Sequence, residues 1–89
     1  MKIHEFLTEK TWCKRNYAED IMGHDVDPTD SNAVCWSLVG AMALCCQTWE
    51  ERIDVACKLT NVLGNRRFTT FNDNTTWAEL YDVLVKADV

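Results

Sequence analysis

Three groups of side chains in this sequence have the types and spacing that chemistry requires. The first is Val34-Cys35-Trp36-Ser37, where the apolar pattern places Cys35 at a helix start. A thiol there is favoured as thiolate by the positive helix end. Thiol catalysis also needs a histidine base, and the only histidines, His4 and His24, precede Cys35 instead of following it. Cys35 therefore reads as a packed thiol. The second group is Asp25-x-Asp27-x-x-Asp30, with Glu19, Asp20 and His24 nearby. A calcium loop needs a central glycine and a terminal bidentate glutamate, whereas Pro28 and Thr29 fill the middle here and no such glutamate follows. Asp27 reads as a turn former and Asp30 as a helix cap. The third, Asn72-Asp73 between Phe71 and Trp77, reads as a turn whose side chains bond nearby backbone. No Ser-His-Asp set, phosphate loop or catalytic carboxylate pair assembles. The expectation is a non-enzymatic chain with no catalytic residues, no cofactor and no resident metal.

The elements that would carry these groups follow from periodicity. Ile3, Phe6 and Leu7 give a short first helix within residues 2–10. Residues 11–17 have poor alternation, and an acidic loop then runs to Asp30. A helix over about 32–46 is apolar nearly all round, the pattern of a central buried helix. Its small residues Ala33, Ser37, Gly40 and Ala41 share a stripe that admits another backbone, with Ser37 bonding a carbonyl one turn back. Thr48-x-x-Glu51 is a capping box opening a third helix, with Ile53, Ala56, Leu59, Thr60 and Leu63 on its apolar face and Gly64 at its end. Phe68–Phe71 reads as a short strand or extended linker. Thr76-x-x-Glu79 opens a last helix over 77–87, with Leu80, Val83, Leu84 and Ala87 inward. The fold class is mainly α: one compact four-helix domain over residues 1–89 with a central apolar helix and room for a short two-stranded ribbon.

Charge and cysteine usage narrow the setting. The chain has 89 residues, 47% hydrophobic, and a net charge of −5. Residues 1–15 hold four bases against two acids, whereas residues 16–30 hold five acids and no Lys or Arg. Duplex nucleic acid binding is not expected of such a chain, because phosphate neutralisation needs clustered bases. The five cysteines are odd in number, contain no C-x-x-C and follow no signal-peptide pattern, so reduced thiols and a cytoplasmic setting are expected. The Asn74-Thr75-Thr76 sequon is then accidental. The apolar run from Ala33 to Cys46 falls short of the roughly 20 residues a membrane span needs, so no membrane partner is expected.

The segments Trp12-Cys13-Lys14, Asn16-Tyr17-Ala18, the Asp-rich loop, Ala33-Val34-Cys35-Trp36-Ser37-Leu38-Val39-Gly40-Ala41 and Phe71-Asn72-Asp73 together resemble a small family of domains of unknown function. That family occurs in bacteria and their phages, with a Trp-Cys-Leu-Val-Gly-Ala core motif and a Trp-Asn-Asp motif before the last helix. The likeness covers residues 12–87. Ser37 stands where the family often has Cys, and Phe71 where it often has Trp, which weighs against thiol chemistry at position 37. The resemblance implies the fold and a phage or mobile-element origin, and brings no activity with it.

The expected function is a protein-binding module, phage-borne and inhibiting a host protein such as a CRISPR-type or other nucleic-acid-handling complex. The partner would present a basic surface to Glu19, Asp20, Asp25 and Asp27, with Trp12 and Tyr17 as aromatic anchors beside them, because interface hot spots favour Trp and Tyr. Two other classes stay open. One is a metal-dependent accessory or small hydrolase-like protein using the Asp-rich loop, with His24 or Asn72-Asp73. The other is a structural homo-oligomer.

Overall fold

The computed structural model describes all 89 residues. The helices are α1 (Ile3–Phe6), α2 (Leu38–Cys45), α3 (Trp49–Leu63), α4 (Phe68–Asn74) and α5 (Trp77–Ala87). Between α1 and α2 lies an antiparallel ribbon of β1 (Ala18–Glu19) and β2 (Cys35–Trp36). The chain is mainly α, as expected. All four expected helices are present, with α1 cut to one turn, and α4 is a fifth.

Both capping boxes form, each with an altered return contact. Thr48 Oγ1 accepts from the Glu51 amide at 3.1 Å, while Glu51 reaches back to the Gln47 amide at 3.0 Å. Thr76 Oγ1 accepts from the Glu79 amide at 3.3 Å, and Glu79 in turn accepts from the Thr75 hydroxyl at 3.1 Å. Helix α3 ends at Gly64, whose φ of +67° and ψ of −131° suit only a residue without a Cβ. The inward face of α3 is Leu59 and Leu63 with half-buried Val55, a strict i, i+4, i+8 row. Ile53, expected inside, is 48% exposed.

The start of α2 differs from the expected one by six residues. Residues 33–36 have helical apolar spacing, but their backbone is taken up by other segments. Val34 donates to the Glu19 carbonyl at 2.8 Å, Trp36 to Thr11 at 2.8 Å and Ser37 to Tyr17 at 3.0 Å, while Cys13 donates to Trp36 at 3.1 Å. A short apolar run fits strand and helix equally well, and here the partners on both sides decide for strand. The helix cap is consequently Ser37, whose hydroxyl accepts from the Gly40 amide at 3.2 Å, instead of Asp30. Asp30 closes a local turn by accepting from the Asn32 amide at 2.8 Å. Every residue of α2 is buried or half-buried, so it is the central apolar helix.

Residues 68–74 are helical, not extended. Phe68, Phe71 and Asn72 fall at i, i+3, i+4, a helical stripe whose third member is polar and so invisible to an apolar count. Asn72 is 1% exposed and uses its whole carboxamide. Its Oδ1 accepts from Trp12 Nε1 at 2.6 Å and from the Leu38 amide at 3.0 Å. Its Nδ2 donates to the Cys13 carbonyl at 3.1 Å and to Asp73 Oδ1 at 3.2 Å. Asp73 Oδ1 also accepts from the Arg15 amide at 2.8 Å. The Asn72-Asp73 pair is thus a tertiary clamp between α4, the start of α2 and residues 12–15, instead of a local turn.

The core gathers Ile3 and Leu7 from the α1 region, Leu38 and Ala41 of α2, Leu59 and Leu63 of α3, Phe71 of α4 and Leu80, Leu84 and Ala87 of α5. Aromatic rings close its edges: Phe6 lies 4.9 Å from Trp36, and Trp12 lies 6.0 Å from Trp77. At Gly40 the Tyr17 backbone crosses α2 so closely that a Cβ would collide with the Tyr17 carbonyl oxygen and lie 2.9 Å from its carbon.

Two outcomes follow for stability. Gly40→Ala is expected to destabilise by about 1–3 kcal/mol in urea or guanidinium unfolding, through steric displacement of residue 17. That sign is opposite to the roughly 1 kcal/mol gain alanine brings to an open helix. Gly40→Val is expected to cost more. Asn72→Leu leaves the Trp12 indole N–H, the Leu38 amide and the Cys13 carbonyl without their partner. At about 1–3 kcal/mol for each buried polar group left unpaired, a loss of about 3 kcal/mol or more is expected, well beyond that of Trp12→Phe.

Candidate functional site

Beyond β1 the chain makes a tight turn over Asp20–His24, and most of the residues singled out by sequence lie on or beside it. Asp20 is its organiser. Its carboxylate accepts from the amides of Met22 and His24, both at 2.9 Å, and lies 3.3 Å from His24 Nδ1. The backbone closes the same turn, Asp20 donating to His24 and Gly23 donating to Asp20, each at 3.0 Å. Gly23 supplies the positive φ of +82°. The His24 amide, then the Met22 amide and the nearby imidazole, hold the Asp20 carboxyl below the usual carboxylate range.

The other acids have separate tasks. Asp27 accepts from the Thr29 hydroxyl at 2.6 Å and the Thr29 amide at 2.9 Å, and the same two donors lower its pKa. Glu19 turns inward, with Oε2 held by Asn16 Nδ2 at 2.8 Å. Asp25 is exposed, and its carboxylate accepts no hydrogen bond. The four acids therefore do not converge on one point. Tyr17 is 54% exposed beside the ribbon. Trp12 is half-buried, with its indole N–H given to Asn72 and Lys14 Nζ 5.3 Å above its ring. The indole of Trp36 donates to the Pro28 carbonyl at 3.0 Å and Val26 donates to Ala18 at 3.1 Å, which tie the acidic loop to the ribbon.

At the tip of the turn stand two residues that charge counting passed over. Ile21 is 86% exposed and Met22 is 75% exposed. Large side chains with no core to cover, carried on a turn braced by four hydrogen bonds, form an apolar point within an acidic surround.

Beneath the turn, Cys13, Glu19 and Cys35 are all half-buried, and their ligand-type atoms lie within 4.8 Å of one another. Backbone pairing explains the meeting. Glu19 and Cys35 are register partners in the ribbon, and the parallel bridge between Trp12 and Trp36 brings Cys13 alongside. Burial, the hydrogen bond with Cys35 and the negative charge of Glu19 and Asp73 push the Cys13 thiol well up. Cys35 lies in β2, two residues before the helix cap, so the activation expected at a helix start does not reach it. Neither histidine is hydrogen-bonded to a thiol: His24 pairs with Asp20, and His4 packs edge-on to Tyr81 at 6.4 Å. Sequence reading missed this cluster because positions 13, 19 and 35 have no motif spacing.

Carboxylates with lowered pKa add stability above their unfolded value of about 3.8–3.9 and lose it as pH falls through the lower folded value. Protonation of Asp20 and Asp27 below about pH 4 is therefore expected to release the turn before α5 opens. Amide exchange should show falling protection at Met22 and His24 over that range, with Leu84 unchanged. Asp20→Asn should show low protection already at neutral pH. Protection at Met22 and His24 that is constant with pH contradicts this account.

The largest cavity, about 320 Å³, lies away from the ribbon between the two chain ends and α3, lined by Lys2, Cys46, Asp54 and Asp88 among others. No helix is long and apolar enough to cross a membrane. No curated protein and no solved structure matches the chain. The model of a family of unknown function, DUF6197, matches residues 1–88. Spanning all but the final residue, that match makes the chain a member of the DUF6197 family.

Proposed function

We propose that this chain is a small non-enzymatic protein-binding module that engages its partner through the Asp20–His24 turn. The observation that carries the reading is the braced display of Ile21 and Met22 within the acidic loop. Interfaces derive most of their energy from a few apolar anchors seated in pockets, with a polar rim around them. A turn already held by its own hydrogen bonds loses little freedom on docking, which lowers the cost of binding. Asp25 and Asp27 are exposed on the same loop as the anchors, so the complementary surface is an apolar pocket rimmed by Lys or Arg. A basic surface of that kind commonly serves nucleic acid. A phage- or mobile-element-borne inhibitor of a host nucleic-acid-handling protein, a CRISPR-type complex included, is the concrete form of the proposal.

A second reading rests on α3, where Trp49 is 71% exposed and Ile53, one turn on, is 48% exposed. On this reading the outward apolar pair supports self-association of the chain as a homo-oligomer. Sedimentation separates it from the first reading, since Trp49→Ser would then shift mass and the turn variants would not.

The test is affinity capture from host lysate with four baits: the wild-type chain, Ile21→Ser/Met22→Ser, Asp25→Lys and Trp49→Ser. Asp25 is the cleanest charge to reverse because its carboxylate holds nothing in the fold; Asp27→Lys is a harsher version that also breaks the Thr29 contacts. The expected outcome is a basic protein retained by the wild type, lost with added salt, and reduced roughly tenfold or more for the Ile21→Ser/Met22→Ser bait. Capture indifferent to the turn substitutions would sink the proposal.

A further inference from the structure

We infer that Cys13, Glu19 and Cys35 form a binding site for one zinc-class divalent cation, with three protein ligands and a fourth position open to solvent. Two thiolates and a carboxylate oxygen make a donor set that suits zinc and the late transition metals, and disfavours calcium and magnesium, which take oxygen throughout. The geometry agrees. With Zn–S near 2.3 Å and Zn–O near 2.0–2.2 Å, a tetrahedral site has ligand-to-ligand edges of about 3.5–3.8 Å. Cys35 Sγ and Glu19 Oε1 already lie 3.8 Å apart, and all three ligand atoms lie within 4.8 Å. Small rotations of the Cys13 side chain complete the set.

The surroundings have the form of a supported site. Asn16 Nδ2 holds Glu19 Oε2 at 2.8 Å, which leaves Oε1 facing the thiols. Such outer contacts orient ligating carboxylates in metal proteins. The three ligands come from the 11–17 segment, β1 and β2, and backbone hydrogen bonds set their spacing independently of any ion. Half-burial beside Trp12 and Trp36 partly excludes water while leaving a path for the fourth ligand. A bound cation would cross-link the three segments at the root of the Asp20–His24 turn. The inference goes beyond the binding proposal, since it concerns the support of the turn and reads out on the metal alone.

Cobalt is the direct probe. Protein reduced with a non-chelating phosphine is titrated with Co²⁺, then with Zn²⁺. One equivalent of Co²⁺ is expected to produce thiolate-to-cobalt charge-transfer absorption and tetrahedral d–d bands, both abolished by one equivalent of Zn²⁺. Zinc should also raise the midpoint of thermal unfolding. Cys13→Ser and Cys35→Ser should each lose most of the charge-transfer intensity. Their zinc affinity should fall by at least the roughly 10–100-fold that losing an outer-shell partner costs. Glu19→Gln should keep the thiolate absorption and shift the d–d bands, and Cys57→Ser, exposed on α3, should match the wild type. Circular dichroism confirms the fold of each variant, and the wild-type titration stands without any of them. No thiolate absorption at one equivalent overturns the inference. So does absorption that survives Cys13→Ser/Cys35→Ser or vanishes only in Cys45→Ser/Cys46→Ser. Partner capture by the turn is measured separately, so either idea can fail without the other.

Discussion

The carboxamide of Asn72 is bonded at once to the Trp12 indole, the Leu38 amide, the Cys13 carbonyl and the Asp73 carboxylate, and the arrangement of the N-terminal half depends on those four contacts. A side chain 1% exposed must satisfy every donor and acceptor within the protein, so the position of each partner is set by the others. Leu38 begins the central helix, while Trp12 and Cys13 lie in a segment with little regular structure of its own. The clamp gives that segment a fixed place against α2 and α4. This matters because only 17 of the 89 residues are buried, and a core of that size leaves the loops few apolar contacts to hold them.

From the clamp outward, one constraint leads to the next. With residues 12–13 in place, Trp36 pairs beside Trp12 and the 35–36 segment becomes a strand. The ribbon then sets Glu19 opposite Cys35, and Tyr17 passes over Gly40 where no side chain intervenes. The acidic loop, which charge alone would describe as a solvated segment, is organised by this base. Trp36 holds Pro28, Asp20 closes the turn and Asp27 closes the next one. Much of the loop's negative charge is therefore occupied in shaping the loop, and the side chains left to meet a partner are Asp25 and the apolar pair at the tip.

Legibility varied with the range of the interaction involved. The capping boxes at Thr48 and Thr76 and the Gly64 stop were readable because each is a bond within a few residues. The inward stripe of α5, with Leu80, Leu84 and Ala87 buried, was readable from its period. So was the close backbone approach at Gly40, although not the identity of Tyr17 as the neighbour. The start of α2 was not, since residues 33–36 carry a helical pattern that loses to strand partners far away in the chain. Helix α4 was obscured for a related reason: the third member of its inward stripe is Asn72, whose burial is compensated by hydrogen bonds instead of by hydrophobicity.

The mainly helical class, the third and last helices, the concentration of acid in residues 16–30 and the need for a small residue at position 40 are all written in the order of the residues. These are properties of local bonding, periodicity and composition, which need no knowledge of distant neighbours. The clamp of Asn72 and Asp73 on residues 12–15, the service of Asp20 to the turn, the outward display of Ile21 and Met22 and the meeting of Cys13, Glu19 and Cys35 emerge with the folded chain. Each of those rests on pairing between segments separated in the chain, where the energy depends on which backbone groups happen to be unpaired nearby. That information is absent from any window of the sequence and exists only once the chain has closed on itself.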